Sequence, residues 1–319
     1  MHDIIILGGG PAGLTAALYG GRYGLEVMLV EEALLGGQTI NTNNIENYPG
    51  FPEPISGDEL SELFEKQVAA YHPQIVNEEV KSLDLVSPVK KVITNKGTHK
   101  SKTIIIALGS RPRKLGVENE DAFLGRGVSY CATCDGNFFK KMDVAVVGGG
   151  DTAITEAMFL SHICNKVYLI HRRTTFRAAD ALVKNLAYLP NVELALNSKV
   201  KWLKGEGKLA GANVTSITND LGKLAGVVIT DSSDNERTLD VKALFVAVGA
   251  EPNATIFKDI IAADKYGYIK TDEEMRTSIT GVYAAGDIRK KSLRQIVTAA
   301  ADGAIAAHSA MLFLQQENA

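Results

Sequence analysis

The run Ile4-Ile5-Ile6-Leu7-Gly8-Gly9-Gly10-Pro11-Ala12-Gly13 decides the fold. Four apolar, mostly β-branched residues suit a parallel strand buried on both faces. Gly8, Gly10 and Gly13 satisfy G-x-G-x-x-G, in which one glycine permits the tight turn, one admits a pyrophosphate to the backbone, and one permits close helix–strand packing. An Ala-rich segment from Leu14 to about Tyr23 reads as the helix that follows. The same order returns 140 residues later as Val144-Ala145-Val146-Val147, Gly148-Gly149-Gly150-Asp151-Thr152-Ala153 and a helical segment from about Ile154 to His162. Each unit leads into another apolar strand, Val27 to Val30 and Val167 to Ile170, so each reads as βαβ. Two dinucleotide sites are implied, with phosphates at the two helix starts.

The ends of those second strands differ in charge. Glu31 closes the first, 21 residues after Gly10, near the spacing at which an acid meets a ribose hydroxyl. The second ends in His171-Arg172-Arg173, with Arg177 beyond, and Arg172 stands 22 residues after Gly150. No acid occupies that strand end. A guanidinium pair suits a 2′-phosphate, which makes the expected dinucleotide there NADP rather than NAD.

Between the two units lies Tyr130-Cys131-Ala132-Thr133-Cys134-Asp135-Gly136. The chain holds three cysteines, too few for a secreted disulfide framework, and a reducing compartment suits them best. A zinc site would need a second ligand pair, which neither Cys164 nor the six scattered histidines supply. Thiol–disulfide chemistry is the remaining reading, with Asp135 as the acid that serves a leaving thiolate. Cys164 falls in an apolar helical stretch and reads as core.

Composition sets the surroundings of this chemistry. With 319 residues, 45% of them hydrophobic and 22% charged, the chain can build two ordinary cores. A net charge of −3 gives no electrostatic reason to expect nucleic acid or an anionic membrane as partner. No basic segment precedes a signal-type apolar stretch at the start, and Asp302 and His308 interrupt the Ala-rich C-terminal segment. The expectation is a cytoplasmic protein with no membrane segment.

The second nucleotide unit reads as an insertion. Thr103 to Leu108, Ala243 to Val248 and Gly281 to Ala285 are further buried strands. The expected division is 1–116, the first segment of an outer domain; 117–244, an inserted domain with the C-x-x-C; and 245–319, the outer domain resumed. Ser110 to Lys114 and Ala250 to Asn253, with Pro and charge, read as paired linkers. The fold class is α/β, two Rossmann-like three-layer dinucleotide-binding domains with the second inside the first. Gly36-Gly37-Gln38 with Asn47, and Gly286-Asp287 with Arg294-Gln295-Ile296, read as further parts of the first nucleotide site. An Asp at such a turn accepts from a sugar hydroxyl or caps a helix.

Together these residues resemble the low-molecular-weight thioredoxin reductases. The resemblance runs the full chain, from Gly8–Gly13 through Cys131-Ala132-Thr133-Cys134-Asp135-Gly136 and His171-Arg172-Arg173-x-x-Phe176-Arg177-Ala178 to Ala285-Gly286-Asp287 and Arg294-Gln295. It implies a homodimer that binds FAD on the interrupted domain and NADPH on the inserted one, and reduces thioredoxin. For FAD it implies Gly8, Gly10, Pro11, Ala12, Gly13, Glu31, Gly37, Gln38, Asn47, Val80, Gly109, Gly286, Asp287, Arg294, Gln295 and Ile296. For NADPH it implies Gly150, Asp151, Thr152, Ala153, His171, Arg172, Arg173 and Arg177. Catalysis falls to Cys134 on the flavin side, Cys131 on the partner side and Asp135 as acid/base. Thr155 stands where relatives commonly carry an acid. Relatives without the basic pair take electrons from ferredoxin or a deazaflavin, against which Arg172, Arg173 and Arg177 argue. Nothing in the residues selects thioredoxin over a glutaredoxin-like protein or a peroxiredoxin module.

Overall fold

The computed structural model describes residues 1–42, 45–186, 188–206, 222–257 and 259–317. The chain divides into two compact units, Met1–Arg111 with Glu251–Ala319, and Pro112–Ala250. Its first segment runs β1 (His2–Leu7), α1 (Pro11–Arg22), β2 (Val27–Glu31), α2 (Gly57–Ala69), β3 (Gln74–Asn77), β4 (Val80–Asp84), β5 (Lys90–Thr94), β6 (Thr98–Ile106) and β7 (Ser110–Pro112). The middle segment runs β8 (Val128–Ser129), α3 (Ala132–Asp135), β9 (Asp143–Gly148), α4 (Asp151–Ser161), β10 (Lys166–Ile170), α5 (Asp180–Leu186), β11 (Val192–Ala195), β12 (Lys199–Gly205), β13 (Leu224–Thr230), β14 (Glu236–Leu239) and β15 (Ala243–Ala247). The chain returns through β16 (Ala250–Pro252), β17 (Val282–Ala284) and α6 (Ile296–Glu317).

In the first unit β3-β2-β1-β6 are parallel neighbours, and β17 pairs parallel with the C-terminal half of β6. The antiparallel β4 and β5 continue from the N-terminal half of β6. Alternation along β1 divides the core. Ile4 and Ile6 face α1 and α6, while Ile5 and Leu7 face the layer that includes Leu85, Val92 and Phe257. In the second unit β11-β10-β9-β15-β8 are all parallel. Val144 and Val146 pack beneath α4, and Ala145 and Val147 pack against the antiparallel β12-β13-β14. Each unit is thus helix, parallel sheet and antiparallel strands in three layers.

Three readings from the sequence shift. Both phosphate-type helices begin earlier than the apolar pattern suggests, at Pro11 and Asp151, because Gly10 and Gly150 are the N-cap residues and Pro11 needs no amide partner at the first helical position. The unit boundaries fall at 111/112 and 250/251 rather than 116/117 and 244/245. A boundary at 244 would cut β15, whose residues pair with β9 through Ala247. Finally, α6 has the length and apolar composition of a bilayer-crossing helix despite Asp302 and His308. It is instead the helix that packs most extensively on α1, and Asp302 is bound within the fold.

Candidate functional site

In the first unit, three glycine turns converge on the start of α1. Gly8 has φ of +102°, open to glycine and strained for other residues. A Cβ on Gly13 would fall on the Gly8 carbonyl, and one on Gly286 would come 2.9 Å from the Ala12 Cβ. Gly10 faces open space, with the Gly37 Cα at 4.0 Å as its nearest neighbour. No side chain caps α1, so its first amides remain open to an anion. Gln38 lies in the short turn Gly37–Asn41.

Glu31 is held at the end of β2. Its Oε2 accepts from the Gly9 amide at 2.7 Å, and Oε1 accepts from Glu32 and Ala33 at 2.9 and 3.0 Å. A cavity of about 470 Å³ opens beside it, lined in part by Leu35, Ile40, Ser61 and Val76, and the buried Ser61 hydroxyl has no partner. Across the turn, Asp287 Oδ1 is buried and unpartnered. Burial raises the Asp287 carboxyl above the usual carboxylate range, against the pull of Lys291 and Arg294. Arg294 stacks 4.2 Å from the Tyr268 ring centre with its Nε unpartnered. Asn47 donates to Gln295 Oε1 at 2.9 Å, and α6 begins at the next residue, Ile296. Val80 opens β4 and packs against the core, and Gly109, φ +65°, follows β6 into open space.

In the second unit, a Cβ on Gly148 would press on Ala153 and the Ala247 carbonyl, whereas Gly150 meets nothing within 4 Å. Asp151 Oδ1 accepts from the Ala179 amide at 2.8 Å, and Thr152 is exposed beside it. His171 is buried under Gly149 and stacked on Phe176 with ring centres 5.1 Å apart, so it shapes the turn. Arg172, Arg173 and Arg177 are exposed, and among the described residues none has a carboxylate partner. Thr155 is exposed and donates to the Asp151 carbonyl within α4.

Cys131 and Cys134 form a disulfide, with Cα atoms 5.3 Å apart. Cys131 is the N-cap of the single-turn helix α3, which brings Cys134 back over it. Asp135 Oδ2 accepts from the buried Ser129 hydroxyl at 2.6 Å, and the same hydroxyl accepts from the Cys131 amide at 3.1 Å. Burial raises the Asp135 carboxyl above its ordinary range, with the Ser129 bond opposing it. Cys164 is buried, donates to the Phe139 carbonyl, and is pushed up to about 11 by burial and by Asp143. It therefore stays a thiol, while the disulfide pair is the redox-competent sulfur.

The chain matches the pyridine nucleotide-disulphide oxidoreductase family over residues 2–303. It belongs to that family. The oxidoreductase is 40% identical over 314 residues to a thioredoxin reductase of Treponema pallidum (strain Nichols), covering 98% of this chain and 97% of that one. It is 42% identical to a thioredoxin reductase of Streptomyces coelicolor, covering 98% and 94%. The crystal structure of thioredoxin reductase from Streptococcus pyogenes MGAS5005 superposes with a TM-score of 0.88 at 38% identity, covering 99% of both chains.

Three polar residues at the oxidoreductase's redox motif escape sequence reasoning. Ser129 joins Asp135 to the Cys131 backbone. The buried Glu120 accepts from the Tyr130 hydroxyl at 2.6 Å and from the Leu115 and Gly116 amides at 2.8 Å each, tying the residue before Cys131 to the incoming chain. Glu156 reaches from α4 to the Ala132 amide. Only Glu156 left a signal, an acid on the apolar stripe Ala153-Glu156-Ala157-Leu160.

Proposed function

We propose that the chain is an NADPH-dependent thioredoxin reductase, in which electrons pass from NADPH through FAD to the Cys131–Cys134 disulfide and on to oxidised thioredoxin. The observation that carries this reading is a closed Cys-x-x-Cys disulfide in the same unit as a glycine turn whose following strand, β10, leads into arginines and no acid. The residues of both units suit the two dinucleotides. In the first, an uncapped helix start, an acid at the strand end and the unpartnered Asp287, Arg294 and Ser61 atoms offer donors and acceptors that suit FAD. In the second, the open Gly150 and the exposed guanidinium groups of Arg172, Arg173 and Arg177 suit a pyrophosphate and a 2′-phosphate. When bound, FAD supplies the two-electron relay between a hydride donor and a disulfide.

The chain's own residues perform the thiol chemistry. With the pair reduced, the Cys131 thiolate attacks the partner's disulfide and one partner sulfur leaves. Asp135, whose carboxyl is raised by burial, donates in its protonated form to the departing thiolate. Cys134 then attacks Cys131 in the mixed disulfide, which releases the partner as a dithiol and closes Cys131–Cys134 again. Tyr19 on α1 and Tyr23 at its C-cap, with Val297, Ile305 and Leu312 on α6, leave an exposed apolar face on the first unit. A second copy of the chain covers that face in a homodimer. The protein acts in the cytoplasm, with no nucleic-acid or membrane partner.

Two measurements test this reading. Mixing with NADPH in a stopped-flow cell should bleach the bound flavin, and a flavin that stays oxidised refutes the donor. The Cys134→Ser variant, which keeps Cys131, should form a stable mixed disulfide with purified oxidised thioredoxin but not with a glutaredoxin-like protein. Light scattering on Ile305→Asp, against a dimeric wild type, tests the homodimer face.

A further inference from the structure

Glu156 sits on the inward stripe of α4 beneath the redox motif. Its Oε1 accepts from the Ala132 amide at 3.4 Å, and its Oε2 is buried without a partner. The Ala132 amide belongs to the peptide bond that leaves Cys131. The elements packed on α4 are α3, α5, β9, β10 and β15. Their ionisable groups are Asp135 and Cys134 on α3 with Cys131 at its N-cap, Asp180 and Lys184 on α5, Asp143 on β9, and Lys166 and Tyr168 on β10. Among the described residues none of these hydrogen-bonds to Glu156 or pairs with it.

We propose that Glu156 is a positioning residue of the redox centre that binds a proton when the Cys131–Cys134 disulfide is reduced and releases it on reoxidation. The inference rests on the redox role proposed for the pair. Reduction breaks the S–S bond with two electrons from the reduced flavin. One sulfur takes a proton from Asp135 and becomes a thiol, and the other remains a thiolate. A carboxylate with one buried oxygen and a thiolate then lie on either side of one peptide unit, and that arrangement favours protonation of the carboxyl. The overall change is disulfide, two electrons and two protons going to thiol, thiolate and uncharged Glu156. Burial already pushes the Glu156 carboxyl up to about 7 with the disulfide closed, against the single Ala132 bond, so the second proton is available near neutral pH.

The test is a redox titration of the flavin-loaded protein in glutathione buffers from about pH 5 to 9, on both sides of the carboxyl's own titration. The Cys131/Cys134 dithiol is trapped by alkylation and counted by mass spectrometry. The ratio of wild-type to Glu156→Gln constants removes the buffer's own titration. The two constants should coincide below the titration of Glu156. Above it, the wild-type constant for reduction should fall relative to the variant by up to tenfold per pH unit, about 30 mV for a two-electron couple. A ratio independent of pH overturns the proposal. If Glu156→Gln does not fold, Glu156→Met takes its place in the same comparison, and a ratio of wild-type to variant constants independent of pH again overturns the proposal. No thioredoxin is used, so the outcome is separate from the identity of the partner.

Discussion

Replacing Asp302 by Asn should destabilise the first unit by about 3 kcal/mol. Asp302 lies on the apolar α6 and is 4% exposed. It accepts from Arg289 Nε and Nη2 and from Lys291 Nζ, each at 2.8 Å, and from the Gly286 amide at 3.0 Å. The Lys291 side chain is itself only 6% exposed, and that of Arg289 17%. Removing one partner of a buried pair costs about 3–5 kcal/mol, because the remaining charge keeps its desolvation penalty. The partial exposure of Arg289 sets the expectation at the lower end. At roughly 2–4 °C per kcal/mol for a unit of this size, the thermal midpoint followed by flavin release should fall about 6–12 °C. Lys291→Met in the same protein should recover a large part of the loss, since the stranded ammonium is then gone. Burial raises the Asp302 carboxyl, but the Arg289 and Lys291 bonds outweigh it and the net shift is downward. The wild type should therefore hold this stabilisation above about pH 4 and lose it as pH falls through the depressed value, and the variant should lack that acid-sensitive component. A loss under about 1 kcal/mol, or no recovery with Lys291→Met, refutes the reasoning.

The glycine turns predict a contrast. Gly13→Ala drives a Cβ onto the Gly8 carbonyl and should yield protein of low flavin content and lower thermal midpoint, whereas Gly150→Ala enters open space and should keep its stability while the KM for NADPH rises about tenfold. Arg172→Ala combined with Arg173→Ala should raise the KM for NADPH by about 10- to 100-fold, at about 1.5–3 kcal/mol for charge-assisted bonds, and leave that for NADH unchanged in steady-state assays. Asp135→Asn should slow thioredoxin reduction about 100-fold with flavin reduction by NADPH intact. Wild-type turnover should decline as pH rises through the raised Asp135 titration, since the protonated form is the active one, and the variant's profile should be flat over that window.

Much of the fold was legible because its parallel strands are short continuous apolar runs, closed by glycine in β1, β6, β9, β15 and β17 and by charged or basic residues in β2 and β10. The antiparallel β4-β5 and β12-β13-β14 were not read. Their residues mix exposed and buried positions in stretches such as Lys199–Gly205, where the pattern is interrupted by a register shift between Val200 and Trp202. At the candidate site, residues whose chemistry sits in a local motif were found, the cysteines and Asp135 among them. Ser129, Glu120 and Glu156 were not, because each acts by the atom it meets across a turn or from another helix. His171 shows the converse, a basic residue in the right motif whose ring is buried beneath Gly149.

The two segments that cross between the units, β7 and β16, pair with each other. Hydrogen bonds run from Asn253 and Gly109 at one end to Arg113 and Gly249 at the other, and Arg111 Nε meets Glu251 Oε1 at 2.7 Å. The polypeptide therefore leaves and re-enters the outer unit through a single doorway. Such an architecture is modular at the level of the gene: everything from Pro112 to Ala250 is a cassette whose removal leaves two ends already side by side. Joining Arg111 to Glu251 should give a minimal flavin-binding protein, and the same seam could accept a foreign domain and place its chemistry under the control of the flavin unit.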